Sequence, residues 1–327
     1  MQPKIFCGIQ LRSFIHETID LQTQQDLQLR MEFKKLNKIQ SLLLKLRDRE
    51  AYKDYKFLKG LQNVQHPFLQ PSLGPDVYFK HSGNAGDLIY SLPAMFALGP
   101  GRNIHLCINI NQKNSIAIKH HPLGNLMLNE KMFEMLHPLL ASQLSIKSCE
   151  IYNNQPIDFD LDLFRQYPFN YKMGNISRWY FLVFGINADL GKPWLTAPPD
   201  ASMHNAIVLA RSLRYHAPGI RYDFLQQYPR TVFIGVEKEY EEMKKTVPNI
   251  EYKPVKDFLE MANVIAGSKF FIGNQSFPFS IAEGLKTKRL LEVYHQSPNV
   301  IVEGAQGYDF CYQPQFEKLV EHLYREG

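Results

Sequence analysis

The sequence predicts an α/β protein with two parallel, doubly wound sheets, one in each half of the chain. Strand patterns alternate with helix patterns through both halves, and this alternation is typical of parallel strands joined by helical crossovers. The chain has 327 residues, which exceeds one ordinary compact core and suits two domains. Hydrophobic residues make up 45% and charged residues 21%, a globular composition that excludes a largely disordered chain.

Residues 1–70 are predicted to be a helical N-terminal extension. The helical pattern covers 11–62, because proline is absent from 4–66 and glycine from 9–59. Apolar residues recur at three- and four-residue steps, namely Leu36, Ile39, Leu42, Leu43 and Leu46. Basic residues fill much of the opposite face, namely Lys34, Lys35, Lys38, Lys45 and Arg49. This basic face is either simply solvated or a surface for a protein partner, membrane headgroups or a polyanion, and the leucine stripe equally allows a homo-oligomer.

The net charge of +5 comes from the same region of the chain. Residues 1–80 hold 13 Lys or Arg against 8 Asp or Glu, whereas the remaining residues hold 24 of each. A surplus of this size leaves a nucleic-acid partner open without arguing for one.

The first α/β domain is predicted over residues 71–195, after a stretch punctuated by Pro67, Pro71, Gly74 and Pro75. We expect its strands at Asp76–Lys80, Ile104–Ile110 and Ile157–Leu161, and its helices at 88–98, 126–140 and 176–186. Residues 191–203 contain three prolines and are the predicted boundary between the domains.

The second α/β domain is predicted over residues 196–327. Its strands are expected at Ala206–Ala210, Arg230–Val236, Ile250–Tyr252, Lys269–Gly273 and Arg289–Tyr294. Its helices are expected at 237–246, 256–267, Phe277–Lys286 and from about Gln315 to Tyr324.

Several kinds of site and segment are not predicted. The four cysteines, Cys7, Cys107, Cys149 and Cys311, are scattered and lack the spacing of a disulfide framework or a zinc site. The start of the chain does not read as a signal peptide, and the longest apolar stretch, Trp179–Ile186, is far below the ~20 residues that span a bilayer. We therefore expect a soluble, cytoplasmic protein. The Asp-x-Asp patterns at 158–162 lie in an alternating strand pattern, and no metal site is predicted there.

The loop after the first strand is the first candidate for a ligand site, because ligands bind beyond the carboxyl ends of the strands in open α/β sheets. Gly83, Asn84 and Gly86 allow a close approach of the backbone, and the following helix starts near Asp87 with free N–H groups. Asp87 is either a helix cap or a general base, and His81 is a weaker candidate base. The loop matches neither the P-loop nor the dinucleotide fingerprint.

The loop after Lys269–Gly273 is the second candidate. Asn274 ends the strand, Ser276 is placed to cap the next helix, and Pro278 fits the first turn of that helix. The start of this helix is either a seat for a diphosphate or an ordinary capped end. Glu283 lies two turns along the same helix, as a buried structural carboxylate or a ligand of a sugar hydroxyl.

The segment Arg211–Tyr215 is the third candidate, because it directly follows a strand. Arg211 and Arg214 are either a phosphate clamp or solvated arginines. Glu237 is a further carboxylate at the end of a strand.

Two of these loops resemble the heptosyltransferase-type glycosyltransferases, the family that includes the lipopolysaccharide ADP-heptose transferases. The first motif reads Gly86-Asp-Leu-Ile-Tyr-Ser-Leu-Pro93 and the second Phe271-Ile-Gly-Asn-Gln-Ser-Phe-Pro278. The resemblance covers roughly residues 75–302. Gln275 and Phe277 depart from the family pattern, which has Asp and Gly at these positions.

The resemblance implies a GT-B-like fold, in which two Rossmann-like domains face a cleft, the first for the acceptor and the second for the nucleotide sugar. It implies an inverting, metal-independent transfer from a nucleotide-diphosphate sugar to a hydroxyl acceptor, with the nucleotide sugar as co-substrate and no separate cofactor. Asp87 is the implied base. The implied donor-binding residues are Asn274, Gln275, Ser276, Phe277 and Pro278, with phosphate contacts near Arg211, Ser212 and Arg214 and a nucleoside-side carboxylate near Glu237.

Two alternatives stay open at this point. The departures at Gln275 and Phe277 allow a non-catalytic GT-B-like binding or assembly protein. The basic N-terminal segment allows a transferase whose acceptor is a nucleic acid, since glycans, lipids, proteins and nucleic acids all offer hydroxyl groups.

Overall fold

A computed structural model describes residues 36–64, 73–114 and 123–325. The predicted helix over 11–35, Cys7 and the linker prolines Pro67 and Pro71 lie outside these residues. The chain divides into two compact units, Met1–His66 with Arg165–Phe169, and Pro67–Phe164 with Asn170–Gly327. No helix in the described part of the chain is long and apolar enough to cross a membrane.

Within residues 36–64, the smaller unit has two helices, α1 (Lys38–Arg47) and α2 (Arg49–Leu61). The predicted helical character is found over residues 38–61, and Asp48, with extended backbone angles at φ −143°, separates the two helices. Its carboxylate accepts a hydrogen bond from the Ala51 N–H at 3.0 Å and so caps α2. A single aspartate thereby ends one helix and starts the next.

The apolar stripe of α1 faces solvent within the described chain. None of the residues of α1 is buried, and Ile39 and Leu46 are 71% and 74% exposed. Self-association through this stripe stays a prediction, and so does the binding of a polyanion by the basic residues.

The larger unit contains a four-stranded parallel sheet in its first part. The strands are β1 (Asp76–His81), β2 (Asn103–Ile108), β3 (Ile146–Ile151) and β4 (Phe159–Asp160), in the spatial order β3-β2-β1-β4. The helices are α3 (Ala85–Leu98), α4 (Glu130–Ala141) and α5 (Ile176–Phe184). The three predicted strands are confirmed, β1 one residue longer than predicted and β2 and β4 shorter, and β3 was missed.

A six-stranded parallel sheet follows in the second part of this unit. The strands are β5 (Ile207–Ala210), β6 (Thr231–Phe233), β7 (Glu251–Tyr252), β8 (Phe270–Asn274), β9 (Arg289–Glu292) and β10 (Gly307–Phe310). The helices are α6 (Glu237–Thr246), α7 (Phe258–Gly267), α8 (Phe277–Leu285) and α9 (Gln313–Arg325). The spatial order β7-β6-β5-β8-β9-β10 is the strand order of a Rossmann sheet. The predicted doubly wound architecture is therefore confirmed, and β10 is an addition to it.

The core of the second sheet explains why its central strands read as unbroken apolar runs. Every residue of β5 and β8 is buried, as expected for parallel strands that are covered on both faces. On one face the rings of Phe310 and Phe316 stack at 4.0 Å between centroids. Each such buried side chain stabilises the fold by about 1.5–3 kcal/mol relative to its exposed state.

Each sheet has one point where the strand order reverses, between β1 and β4 in the first and between β5 and β8 in the second. Ligands of doubly wound folds bind in the crevice outside the carboxyl ends of the strands at such points. The loops after β1, β5 and β8 all lie there, and all three were singled out by their sequence.

Candidate active site

Two helix N-termini line one cavity of about 190 Å³ in the larger unit. The start of α3 contributes Asn84 to Asp87, and the start of α8 contributes Gln275 to Phe277. The two starts lie close together, since a Cβ on Gly86 would be 3.8 Å from the Cα of Phe277. The first and second loops of the sequence analysis therefore meet at one place.

The start of α3 presents both donors and acceptors to this cavity. The first-turn N–H groups of a helix have no partner within the helix, and they favour negative charge. Asn84 occupies the N-cap position, but its side chain makes no capping hydrogen bond, and its Oδ1 is a buried atom without a partner in the described chain. Asp87 lies in the first turn of α3 and lines the cavity, as a base facing a ligand requires.

His81 does not line the cavity, and its predicted part as a second base is not supported by its position. The ring is fully buried, and Nδ1 accepts a hydrogen bond from the Gly83 N–H at 3.0 Å. Since Nδ1 accepts, Nε2 carries the proton and donates to the Tyr180 hydroxyl at 2.9 Å. That hydroxyl donates to the backbone oxygen of Asp87 at 3.3 Å. His81 and Gly83 thus hold the loop that carries Asp87.

The aspartates of the Asp-x-Asp patterns hold the first sheet together. Asp162 accepts hydrogen bonds from the N–H and the hydroxyl of Ser82, which ties the loops after β1 and β4 across the point where the strand order reverses. Asp160 forms an ion pair with Lys80 at 2.7 Å. Among residues 36–64, 73–114 and 123–325, no group of three or more His, Cys, Asp or Glu side chains is arranged to hold a metal ion.

The start of α8 offers fewer backbone donors than an ordinary helix. Pro278 lacks an N–H, and the Phe279 N–H bonds back to the Ser276 oxygen at 3.1 Å. The Ser276 hydroxyl does not cap the helix and instead donates a hydrogen bond to the Asn274 backbone oxygen at 3.3 Å. Phe277 begins the helix and lines the cavity, and its N–H has no partner within the helix.

The side chain of Asn274 makes hydrogen bonds within the protein, which differs from the implied contact with a diphosphate. It is fully buried, and its Oδ1 accepts a hydrogen bond from the Ser212 N–H at 3.0 Å. Its Nδ2 donates to the backbone oxygens of Ser212, at 3.0 Å, and of Arg214. Asn274 and Ser212 therefore tie the loops after β5 and β8, as Ser82 and Asp162 do in the first sheet.

Gln275 lines the cavity, yet its amide is also used internally. Its Oε1 accepts from the Tyr294 N–H at 2.8 Å, and its Nε2 donates to the Ser297 oxygen at 2.6 Å and to Asn299 Oδ1 at 2.8 Å. The glutamine thus anchors the segment after β9 against the cavity wall.

The two arginines of the third loop have different environments. The Nε and Nη2 of Arg211 bond to the carboxylate of the fully buried Glu292 at 2.6 and 2.7 Å, and its guanidinium lies 4.8 Å from the ring centroid of Tyr222. Arg214 instead lines the cavity, and its Nε is a buried atom without a partner in the described chain. Of the two arginines predicted as a phosphate clamp, only Arg214 lines this cavity. Tyr215, also at the cavity, has a left-handed backbone with φ +56°.

The two remaining predicted carboxylates lie away from this cavity. Glu283 is almost fully buried, accepts hydrogen bonds from Arg289 and Lys286, and also accepts the Glu303 N–H at 3.1 Å, so its structural alternative fits the geometry. Glu237 begins α6 and is exposed.

Its neighbour Glu239 was missed by the sequence analysis. Glu239 lines a second cavity of about 360 Å³ between α6 and the loop after β5. Burial raises the pKa of its carboxyl.

The rest of the first cavity is lined by residues that sequence reasoning missed. They are mainly apolar, namely Leu123, Met127, Met132, Ile176 and Val300, together with Tyr90 and Asn299. The signal for Tyr90 was its position three residues after Asp87, which places both on one face of α3. The methionines carried no local signal, because they lie in a loop and on a different helix.

Solved structures with similar architecture include glycosyltransferases. A glycosyl transferase family 9 protein from Veillonella parvula DSM 2008 matches with a TM-score of 0.55 and 12% identity, covering 79% of this chain and 100% of that chain. The E. coli heptosyltransferase WaaC with ADP matches with a TM-score of 0.52 and 11% identity, covering 76% and 99%. The dodecameric iron-containing heptosyltransferase TibC in complex with ADP-D-β-D-heptose matches with a TM-score of 0.50 and 12% identity, covering 81% and 82%.

No protein-family model and no curated protein sequence matches the chain. At these identities the structural likeness shows the fold and not the activity, since one fold hosts many functions. The chain therefore has the GT-B-like fold that its two motifs predict.

Proposed function

We propose that the protein is a glycosyltransferase that moves a sugar from a nucleotide-diphosphate sugar to a hydroxyl acceptor. One observation carries the proposal: a carboxylate, Asp87, and the N-termini of α3 and α8 line the same cavity. Glycosyl transfer needs a base for the acceptor hydroxyl and an electropositive seat for the departing diphosphate. The cavity brings both kinds of group together.

Asp87 is the proposed general base. An ionised carboxylate within hydrogen-bond reach of a hydroxyl accepts its proton as the oxygen attacks, a contribution of typically about 10²–10⁴ to the rate. Tyr180 bonds to the backbone oxygen of Asp87, and His81 holds Tyr180, so the turn that carries the carboxylate is fixed from behind.

The departing diphosphate is proposed to lie between the two helix starts. Its negative charge is stabilised by the first-turn N–H groups of α3, by the Phe277 N–H and by the guanidinium of Arg214. Asn274 supports this seat indirectly, since it fixes the backbone of Arg214. These groups supply the positive potential, and we propose that no metal ion is needed for it.

The transfer is proposed to be a single displacement with inversion. The acceptor oxygen, deprotonated by Asp87, forms the new bond to the anomeric carbon while the bond to the diphosphate oxygen breaks on the opposite face. The cavity of about 190 Å³ is smaller than the ~300–1,000 Å³ of a whole drug-sized ligand site, so it suits the sugar and diphosphate, with the nucleoside outside it. Two of the similar structures are complexes, of WaaC with ADP and of TibC with ADP-D-β-D-heptose, so ADP-sugars are the first donors to test.

The test begins with a thermal-shift panel of nucleotide sugars on the full chain. A donor at 100 times its Kd raises the free energy of unfolding by about 2.7 kcal/mol, which is a measurable shift in Tm. Transfer and hydrolysis assays on each hit follow, with wild type, Asp87→Asn and, as a matched control, the exposed Asp309→Asn of β10.

Asp87→Asn is expected to lower kcat by about 10²–10⁴ while donor Kd changes little, because the amide keeps the shape but accepts no proton. Asp309→Asn is expected to keep the wild-type rate. Equal kcat for wild type and Asp87→Asn would contradict the base assignment. If no nucleotide sugar raises the Tm of the wild type, the glycosyltransferase proposal itself is wrong, and a binding or assembly function of another kind takes its place.

A further inference from the structure

Three residues that line the cavity at Asp87 each carry a buried polar atom without a hydrogen-bond partner in the described chain. The atoms are Asn84 Oδ1, Tyr90 Oη and Arg214 Nε. Buried polar groups in native proteins are normally paired, because an unpaired one destabilises the folded state. Their concentration at one cavity therefore points to a ligand that completes their hydrogen bonds.

Tyr90 is the most informative of the three. Its side chain belongs to the core, with only 4% of the residue exposed, and its ring lies 6.5 Å from that of Trp194. Two other tyrosines of the same unit are equally buried but paired, since Tyr180 bonds to His81 and Tyr222 bonds to Glu292 at 2.8 Å. A phenylalanine would fill the place of Tyr90 without leaving a polar atom unpaired.

The chemistry of the unpaired atoms selects a hydroxyl ligand over a phosphate. Asn84 Oδ1 is an acceptor and needs a donor, which an ionised phosphate oxygen is not. A hydroxyl group donates and accepts at once, and so does the phenol of Tyr90. The guanidinium of Arg214 provides the contrasting case, because its Nε–H donates and suits an anion.

We propose that Tyr90 Oη, with Asn84 Oδ1, hydrogen bonds to a hydroxyl group of a sugar in this cavity and helps to determine which sugar binds. This inference rests on the proposed function. Tyr90 lies one helical turn beyond Asp87 on α3, so a sugar hydroxyl at Tyr90 places the ring beside the proposed base. Burial raises the pKa of the Tyr90 phenol well above its usual value, with Glu283, Arg289 and Asp87 as the charges around it, so the group remains a neutral donor.

The experiment compares Tyr90→Phe with the wild type in two measurements. The Tm of the unliganded variant is expected to equal or exceed that of the wild type, because the change removes a buried polar atom that has no protein partner. The Kd for the nucleotide sugar found in the donor panel, measured by calorimetry, is expected to increase by about 3- to 10-fold, as for the loss of one hydrogen bond. The Kd for the matching nucleoside diphosphate without sugar is expected to stay unchanged.

Two matched variants serve as controls for Tyr90→Phe. Tyr222→Phe removes a phenol that does have a buried partner and is expected to lower the Tm. Tyr228→Phe changes a half-buried tyrosine outside the cavity and is expected to alter neither Tm nor Kd. If the donor Kd is unchanged but KM for the acceptor rises 3- to 10-fold, the sugar at Tyr90 belongs to the acceptor, and the inference holds.

Other outcomes overturn the inference. If Tyr90→Phe lowers the Tm as Tyr222→Phe does and changes neither Kd nor KM, the phenol is structural. If binding of the nucleoside diphosphate weakens as much as that of the nucleotide sugar, Tyr90 contacts the phosphates. A wild type that binds nucleotide sugars while Tyr90→Phe behaves identically refutes this inference alone, whereas a wild type that binds none refutes the proposed function with it.

Discussion

The amide of Asn274 ties the loop after β5 to the end of β8, and replacing it with a carboxylate tests that tie. Asn274→Asp keeps the size of the side chain and the acceptor that binds the Ser212 N–H. It removes both donations from Nδ2, to the backbone oxygens of Ser212 and Arg214. The two carbonyl groups would then face a carboxylate in a fully buried place.

The expected loss of stability follows from these contacts. Each buried carbonyl that loses its donor costs about 1–3 kcal/mol, so the loss of both donations should destabilise the variant by about 2–6 kcal/mol. At about 2–4 °C per kcal/mol for a chain of this order of size, the Tm should fall by at least about 4 °C. The defect should shrink as the pH is lowered, because a carboxyl with a raised pKa takes up a proton, loses its charge and donates one hydrogen bond.

Differential scanning fluorimetry at pH 8 and pH 5 measures both effects. Asn249→Asp, an exposed asparagine with one hydrogen bond to a backbone oxygen, is the matched control and should change the stability by less than about 0.5 kcal/mol. If Asn274→Asp and Asn249→Asp have the same Tm, or if the defect grows toward low pH, the described tie does not hold the loop.

Three further substitutions test other parts of the larger unit. Glu283→Gln leaves the buried guanidinium of Arg289 without a counter-charge and should lower the free energy of unfolding by about 3–5 kcal/mol. Urea unfolding measures this loss, and a loss below about 1 kcal/mol would contradict the importance of the ion pair. Burial and the charge of Arg211 lower the pKa of His216, so the stability that neutral His216 contributes is full above pH 6.5 and is lost as the pH falls. His216→Gln should therefore flatten the dependence of Tm on pH between about pH 7.5 and 5, and an unchanged dependence would refute this. Gly304→Ala puts a Cβ 2.6 Å from a backbone oxygen at φ +85° and should lower the Tm, whereas wild-type stability would show that this loop is loosely held.

Edge strands account for the elements that the sequence did not reveal. The central strands β5 and β8 are buried along their whole length and therefore read as apolar runs. In β3 two of the six residues are buried, and in β10 only Phe310 is, so their apolar signal is weak. The break between the helices at Asp48 has a different cause. The three- and four-residue periodicity continues on both sides of Asp48, so the pattern does not show where one helix ends.

The sequence locates the polar residues at the strand ends, but it does not show which of them face a ligand and which are paired inside the fold. Asp87 and Arg214 line the cavity, whereas the polar atoms of Arg211 and Asn274 form hydrogen bonds with partners inside the fold. The partner of Arg211 is Glu292, which lies 81 residues further along the chain. Such pairing depends on the order of strands in the sheet, and residue type and local spacing do not contain it.

The ties at the two points where the strand order reverses also affect the entropy of binding. Asn274 holds the loop from Ser212 to Arg214, and Asp162 holds Ser82, through hydrogen bonds within the protein itself. Fixing one residue of a mobile loop costs about 1–2 kcal/mol of backbone entropy. For these short loops that cost is met when the chain folds, so a ligand that enters the cavity does not have to order them. The backbone around Arg214 and the approach to Asp87 are thus set before any ligand arrives.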